Sequence, residues 1–105
     1  MRIQIKDPWE MPELRDCSAI IAWIRERLGK HPLAKRKIFP LALLEDRSRA
    51  IVEAEEGEPF YAVVDFYQTK TARLIAKPKV MMLPDRASVQ RLIDDTNAEY
   101  RKKYA

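Results

Sequence analysis

The chain has 105 residues, with 20 Lys and Arg, 16 Asp and Glu, one His, one Cys and two Gly. That length fits a single domain, residues 1–105, able to build a core without staples. One cysteine excludes an internal disulfide framework and the zinc sites made from four Cys or from two Cys and two His. No apolar run approaches the ~20 residues of a membrane span.

The net charge is +4 and the isoelectric point about 9.3. Residues 17–37 carry six basic and one acidic side chain, residues 38–59 two basic and six acidic, and residues 60–84 four basic and one acidic. Two basic segments thus flank an acidic one, a pattern that bears on partners and solubility rather than on fold.

In chain order, residues 1–6 alternate, with Ile3 and Ile5 opposite Arg2, Gln4 and Lys6. This is the pattern of a half-buried strand. Pro8 and Pro12 should hold residues 7–15 out of regular structure, because proline lacks the N–H a ladder needs. Asp16 is placed to cap a helix starting near Cys17. Its stripe is Cys17, Ile20, Ile21, Ile24 and Leu28, with Trp23 beside it; Gly29 ends it and Pro32 forbids resumption. Residues 30–37 read as a basic loop.

Pro40 suits the first turn of a second helix in which Leu41, Leu44, Ser48, Ile51 and Val52 share a face and Gly57 supplies a stop. The competing reading is a hairpin of residues 38–44 and 48–54 turning at 45–47. The Ala- and Glu-rich composition favours the helix. Phe60 to Gln68 is the clearest strand, rich in β-branched and aromatic residues, with Phe60, Ala62, Val64 and Phe66 on one face and Tyr61, Val63, Asp65 and Tyr67 on the other. A polar connection at 69–71 leads into a second strand of a hairpin. Pro78 interrupts it, marking an edge or a bulge, before residues 80–83 continue extended. Asp85 should cap a last helix lined by Val89, Leu92, Ile93, Thr96 and Tyr100, with Arg101, Lys102 and Lys103 in its final turn. The expected fold is α+β, a two-layer sandwich of a small antiparallel sheet covered by helices, in the order β-α-α-β-β-α, with a possible fourth strand near Val80.

Lys70, Arg73, Lys77 and Lys79 on the hairpin could meet phosphates while Tyr61 and Tyr67 stack on bases, and Lys35, Arg36 and Lys37 could add a basic clamp. Set against this, edge-strand lysines commonly serve only to prevent sheet-to-sheet pairing. Asp65, inside an apolar strand, could hold Mg²⁺ with a second carboxylate. Pairing with Arg73 or an arginine from a helix is the simpler account. Cys17, at a helix N-terminus, reads as a small buried hydrophobe rather than a reactive thiol. Two glycines leave no phosphate-cradling loop.

Arg25 and His31, spaced Arg-x5-His, resemble the Arg-x4-6-His signature of the metal-independent RNases of the HEPN family. The resemblance spans seven residues. It implies a helical bundle acting on RNA across a dimer, whereas Gly29 and Pro32 break the helix here and the rest of the chain reads half β. Trp9, in the proline-bracketed stretch D-P-W-E-M-P, is either an interface anchor or a lid folded over the core. The functional expectation is a non-enzymatic cytoplasmic interaction module. A protein partner or self-association comes ahead of nucleic acid, and a small RNase-like toxin is the second alternative. No catalytic residue, metal or small-molecule cofactor is expected, and no membrane contact.

Overall fold

The computed structural model describes residues 3–55, 60–68 and 73–104, with backbone alone for 67–68, 73–77 and 104. Among these, the elements are β1 (Trp9–Glu10), α1 (Cys17–Leu28), β2 (Lys37–Leu44), β3 (Arg49–Glu55), β4 (Phe60–Gln68), β5 (Arg73–Leu83) and α2 (Arg86–Tyr104). The strands form one antiparallel meander in the order β1-β2-β3-β4-β5. The fold is α+β, in the order β-α-β-β-β-β-α rather than the order expected. No helix of the described residues is long and apolar enough to cross a membrane.

Alternation along the strands decides where the helices go. Ala50, Val52 and Ala54 of β3, with Ala62, Val64 and Phe66 of β4, turn to one face and pack against Ile20, Ile24 and Leu28 of α1. Ile51, Tyr61 and Val63 turn to the other and pack against Val89 and Ile93 of α2. Each face of a strand shows every second residue, so two apolar faces require two covers. The sheet is therefore the middle of three layers, not one half of a sandwich. Trp23 packs its ring 4.5 Å from that of Phe66 on the α1 side.

The second helix expected from Pro40 onward is instead the β2–β3 hairpin. A Leu- and Ala-rich run buried on both sides shows neither a helical nor a strand period, and tertiary burial overrides the local helix preference. A bulge explains its irregular pattern. Pro40 pairs with Val52 and Ala42 with Ile51, leaving Leu41 without a partner in the ladder. Ile38 and Leu43 consequently share the α1 face although five positions apart. Pro40 is tolerated beside that bulge because β1 pairs only with Leu43 and Leu44. The expected stop at Gly57 lies outside the described residues.

The hairpin turns on Leu44, whose carbonyl accepts the Arg47 N–H at 2.9 Å. Asp46 Oδ1 accepts from the Ser48 N–H at 2.9 Å and its hydroxyl at 2.6 Å. Arg47 stands at φ 65°, in the left-handed region that costs a residue with a Cβ. Replacing it with glycine (Arg47→Gly) is expected to raise unfolding stability by about 0.5–1 kcal/mol, read as a higher denaturant midpoint at unchanged slope.

At the N-terminus the alternation is real but its partner is a helix, not a strand. Ile3 and Ile5 pack against the α2-side core. Gln90 of α2 accepts from the Gln4 N–H at 2.7 Å and donates to the Gln4 carbonyl at 3.0 Å, doing for that backbone what a neighbouring strand would do. Lys6 pairs with Asp94 at 2.8 Å, and Asn97 donates to the Asp7 carbonyl. Residues 3–6 therefore need no ladder and are not a strand. Residues 7–15, expected to be irregular, contain both β1 and the start of a 3-10 turn, Leu14–Asp16, that runs into α1. That continuity leaves Asp16 helical and without a side-chain capping bond. Gly29, at φ 58°, ends α1 as expected.

Asp85 does cap α2, accepting from the Ser88 N–H and hydroxyl, each at 2.8 Å. Those bonds hold its carboxyl below the usual carboxylate value, as those from Lys6 and Gln90 do for Asp94. A folded-state value below the unfolded one gives stability that is present above the ordinary 3.8 and lost as pH falls through the lowered value. Methyl NMR signals of Ile3 and Ile5 should thus stay fixed from about pH 7 to about pH 5 and shift toward disordered values only below about pH 4.

Candidate interaction edge

β5 is the outermost strand of the sheet, and no strand among the described residues pairs with its far side. Its inner side pairs with β4, Tyr61 opposite Leu83, Val63 opposite Met81, Val64 opposite Val80 and Asp65 opposite Lys79. The register then shifts between Asp65 and Tyr67, at the level of Pro78. The proline thus sits on an edge strand and at an irregularity, the two places a sheet accepts one.

Met81 and Met82 project to opposite faces of β5, yet are 53% and 54% exposed. Neither helix extends over this margin far enough to cover it. Among the described residues, what remains is a strand edge with no strand partner, flanked on each face by a flexible apolar side chain.

On the α2 face a groove of about 560 Å³ borders the same edge, lined by Arg49, Asp65, Lys79, Val63, Met81 and Leu92 among others. Arg49 donates through Nε to Asp65 Oδ1 at 2.8 Å, both side chains being about one-third exposed or less. Arg49 and Asp65 are also register partners, and Lys79 stands opposite Asp65 on the next strand. The row reads cation, anion, cation from β3 to β5. The acid in the apolar strand is thus paired as expected of a structural residue, with β3 supplying the arginine instead of Arg73 or a helix. No group of three or more His, Cys, Asp or Glu side chains among the described residues could hold a metal ion.

Of the nucleic-acid candidates, the side chains of Lys35, Arg36, Lys37, Tyr61 and Lys79 are described. Tyr61 is buried at 5%, and its hydroxyl accepts from Arg86 Nε at 3.2 Å beneath α2, so it offers no stacking face. This corrects its expected role. Arg36 lies over the Phe60 ring, 5.0 Å from its centroid, and Lys37 approaches Glu55 at 3.9 Å. Lys35 is exposed, at the end of a 3-10 turn pinned by buried Leu33. Lys37 on β2 and Lys79 on β5 stand three strand spacings apart across the sheet, about 14 Å, and six residues apart along it, about 20 Å. Lys70 and the connection at 69–71 lie outside the described residues, as do the side chains of Tyr67, Arg73 and Lys77.

Trp9 is likewise no surface anchor. At 2% exposure it fills the α2-side core, which is the lid alternative. Cys17 is buried, its thiol donating to the Glu13 carbonyl at 3.4 Å. Arg25 and His31 each have a backbone partner of their own. Arg25 donates to the Arg36 carbonyl at 3.1 Å, while His31, beyond the end of α1, accepts the Leu33 N–H through Nδ1 at 3.1 Å and caps the following turn. Met81, Met82 and Arg49 went unnoticed in the sequence. Placing β3 opposite β4 would have found Arg49, since the register then sets it against Asp65.

No protein-family model, curated protein or solved structure matches this chain.

Proposed function

We propose that the chain is a non-enzymatic interaction module that takes up an extended segment of another protein along the outer edge of β5. The observation that carries this reading is the open edge itself, with Met81 and Met82 more than half exposed on its two faces. Strand addition draws affinity from main-chain hydrogen bonds and specificity from alternate side chains meeting the two flanks. The remaining edge of the sheet is a poorer dock, because β1 already pairs with Leu43 and Leu44 of β2. Grouping of the titratable side chains argues in the same direction. Asp65, Arg25 and His31 each have a bond that accounts for them in structural terms.

The test is affinity capture with the tagged chain, with and without nuclease, beside a Met81→Ser/Met82→Ser variant, followed by amide exchange on β5 in the captured complex. A protein retained after nuclease, lost with the variant, and protecting the β5 amides supports the reading. Capture that disappears with nuclease, or leaves β5 unprotected, overturns it.

A further inference from the structure

We infer that the segment received by β5 is acidic, with a carboxylate two positions after an apolar residue. This rests on the strand-addition reading and names the chemistry of its occupant. Residues 73–83 contain Arg73, Lys77 and Lys79 and no acid, so the edge strand is uniformly basic. The row Arg49, Asp65, Lys79 ends at the edge on a cation, with the one carboxylate of that row engaged by Arg49 at 2.8 Å. An added strand would set one residue directly opposite Lys79. An acid there continues the alternation of charge, whereas a base sets like charges side by side.

Two positions along β5, on the same face, stands Met81, with Leu92 of α2 lining the same groove. The residue opposite Met81 therefore meets apolar surface. Every pairing in this sheet is antiparallel. A sixth strand laid on in that sense reads, from its own N-terminus, apolar, any residue, acidic.

Two other occupants fit less well. A second copy pairing β5 on β5 about Pro78 would place Lys77 against Lys79, base on base, along a ladder interrupted by prolines. Single-stranded RNA needs exposed aromatic faces, and Tyr61 is buried under α2.

The probe is a fluorescein-labelled heptapeptide, Thr-Val-Leu-Thr-Glu-Val-Thr, compared with its Glu-to-Lys counterpart by anisotropy on the full chain and on Lys79→Glu. Lys79 is exposed, so the variant should fold, and circular dichroism checks it. The wild type should prefer the Glu peptide by about fivefold at low salt, and Lys79→Glu should reverse the preference. The β5 amides should become protected in the favoured complex. Equal binding of both peptides with β5 protected would overturn the acidic preference and leave strand addition standing. Binding of neither, with β5 unprotected, would overturn both. Dimerisation of the chain alone with protection of β5, or displacement of the Glu peptide by single-stranded RNA, would also overturn the proposed occupant.

Discussion

Phe66→Ala is expected to lower unfolding stability by about 3–5 kcal/mol, the range for truncating a fully buried aromatic. Phe66 has no exposed surface and packs within 4.5 Å of the Trp23 ring. It sits where β4 meets α1, so the vacated volume is bounded by a strand and a helix that are both held elsewhere and cannot simply close around it. A domain of this size has about 5–15 kcal/mol in total, so the loss removes a large share. Urea titration followed by tryptophan fluorescence would read it directly, because Trp23 loses its tilted ring contact in the same step. A loss under about 1 kcal/mol would mean that α1 does not anchor to the sheet at this point.

The second large effect concerns binding. Met81→Ser with Met82→Ser should weaken capture of an extended partner by about tenfold or more while leaving the fold intact. Full burial of a methionine side chain contributes about 1.5–3 kcal/mol, and each of these has roughly half of its surface still to cover. The two together thus contribute about 1.5–3 kcal/mol to docking, and each 1.4 kcal/mol is a factor of ten. Because both side chains are already open to solvent, thermal unfolding of the free variant should match the wild type closely. Equal binding by both forms would place the partner away from this edge.

The strand at Phe60–Gln68 was legible to the residue, since period two with aromatic and β-branched content has few competing explanations. Gly29 marked the end of α1, and Asp85 the start of α2. The stretch from Ile38 to Ala54 was not legible as a hairpin. It carries buried apolar residues on both faces, and its bulge at Leu41 disrupts what alternation remains. The site was harder still. Alternation grouped Tyr61 with Asp65 on one face, but did not reveal that a helix covers the Tyr61 end and leaves the Lys79 end open. Trp9 lay between prolines, and only the pairing of Trp9 with Leu44 turns it inward. A stretch that alternates, as at Ile3 and Ile5, reports one wet and one dry side and says nothing of whether a strand or a helix supplies the dry one.

The meander has a consequence for the route to the native state. The β2–β3, β3–β4 and β4–β5 ladders join strands adjacent in sequence, so each can zip from a nearby reversal with little chain to search, whereas Trp9 of β1 must reach Leu44 of β2 across the whole of α1. The clasp of residues 4–7 on α2, through Gln90, Asp94 and Asn97, spans far more chain, Gln4 and Gln90 being 86 positions apart, and it can close only once α2 has settled on the finished sheet. Stopped-flow refolding should therefore register the hairpins early and the joining of the two chain ends last, and pulling the ends apart should release that clasp before any strand yields.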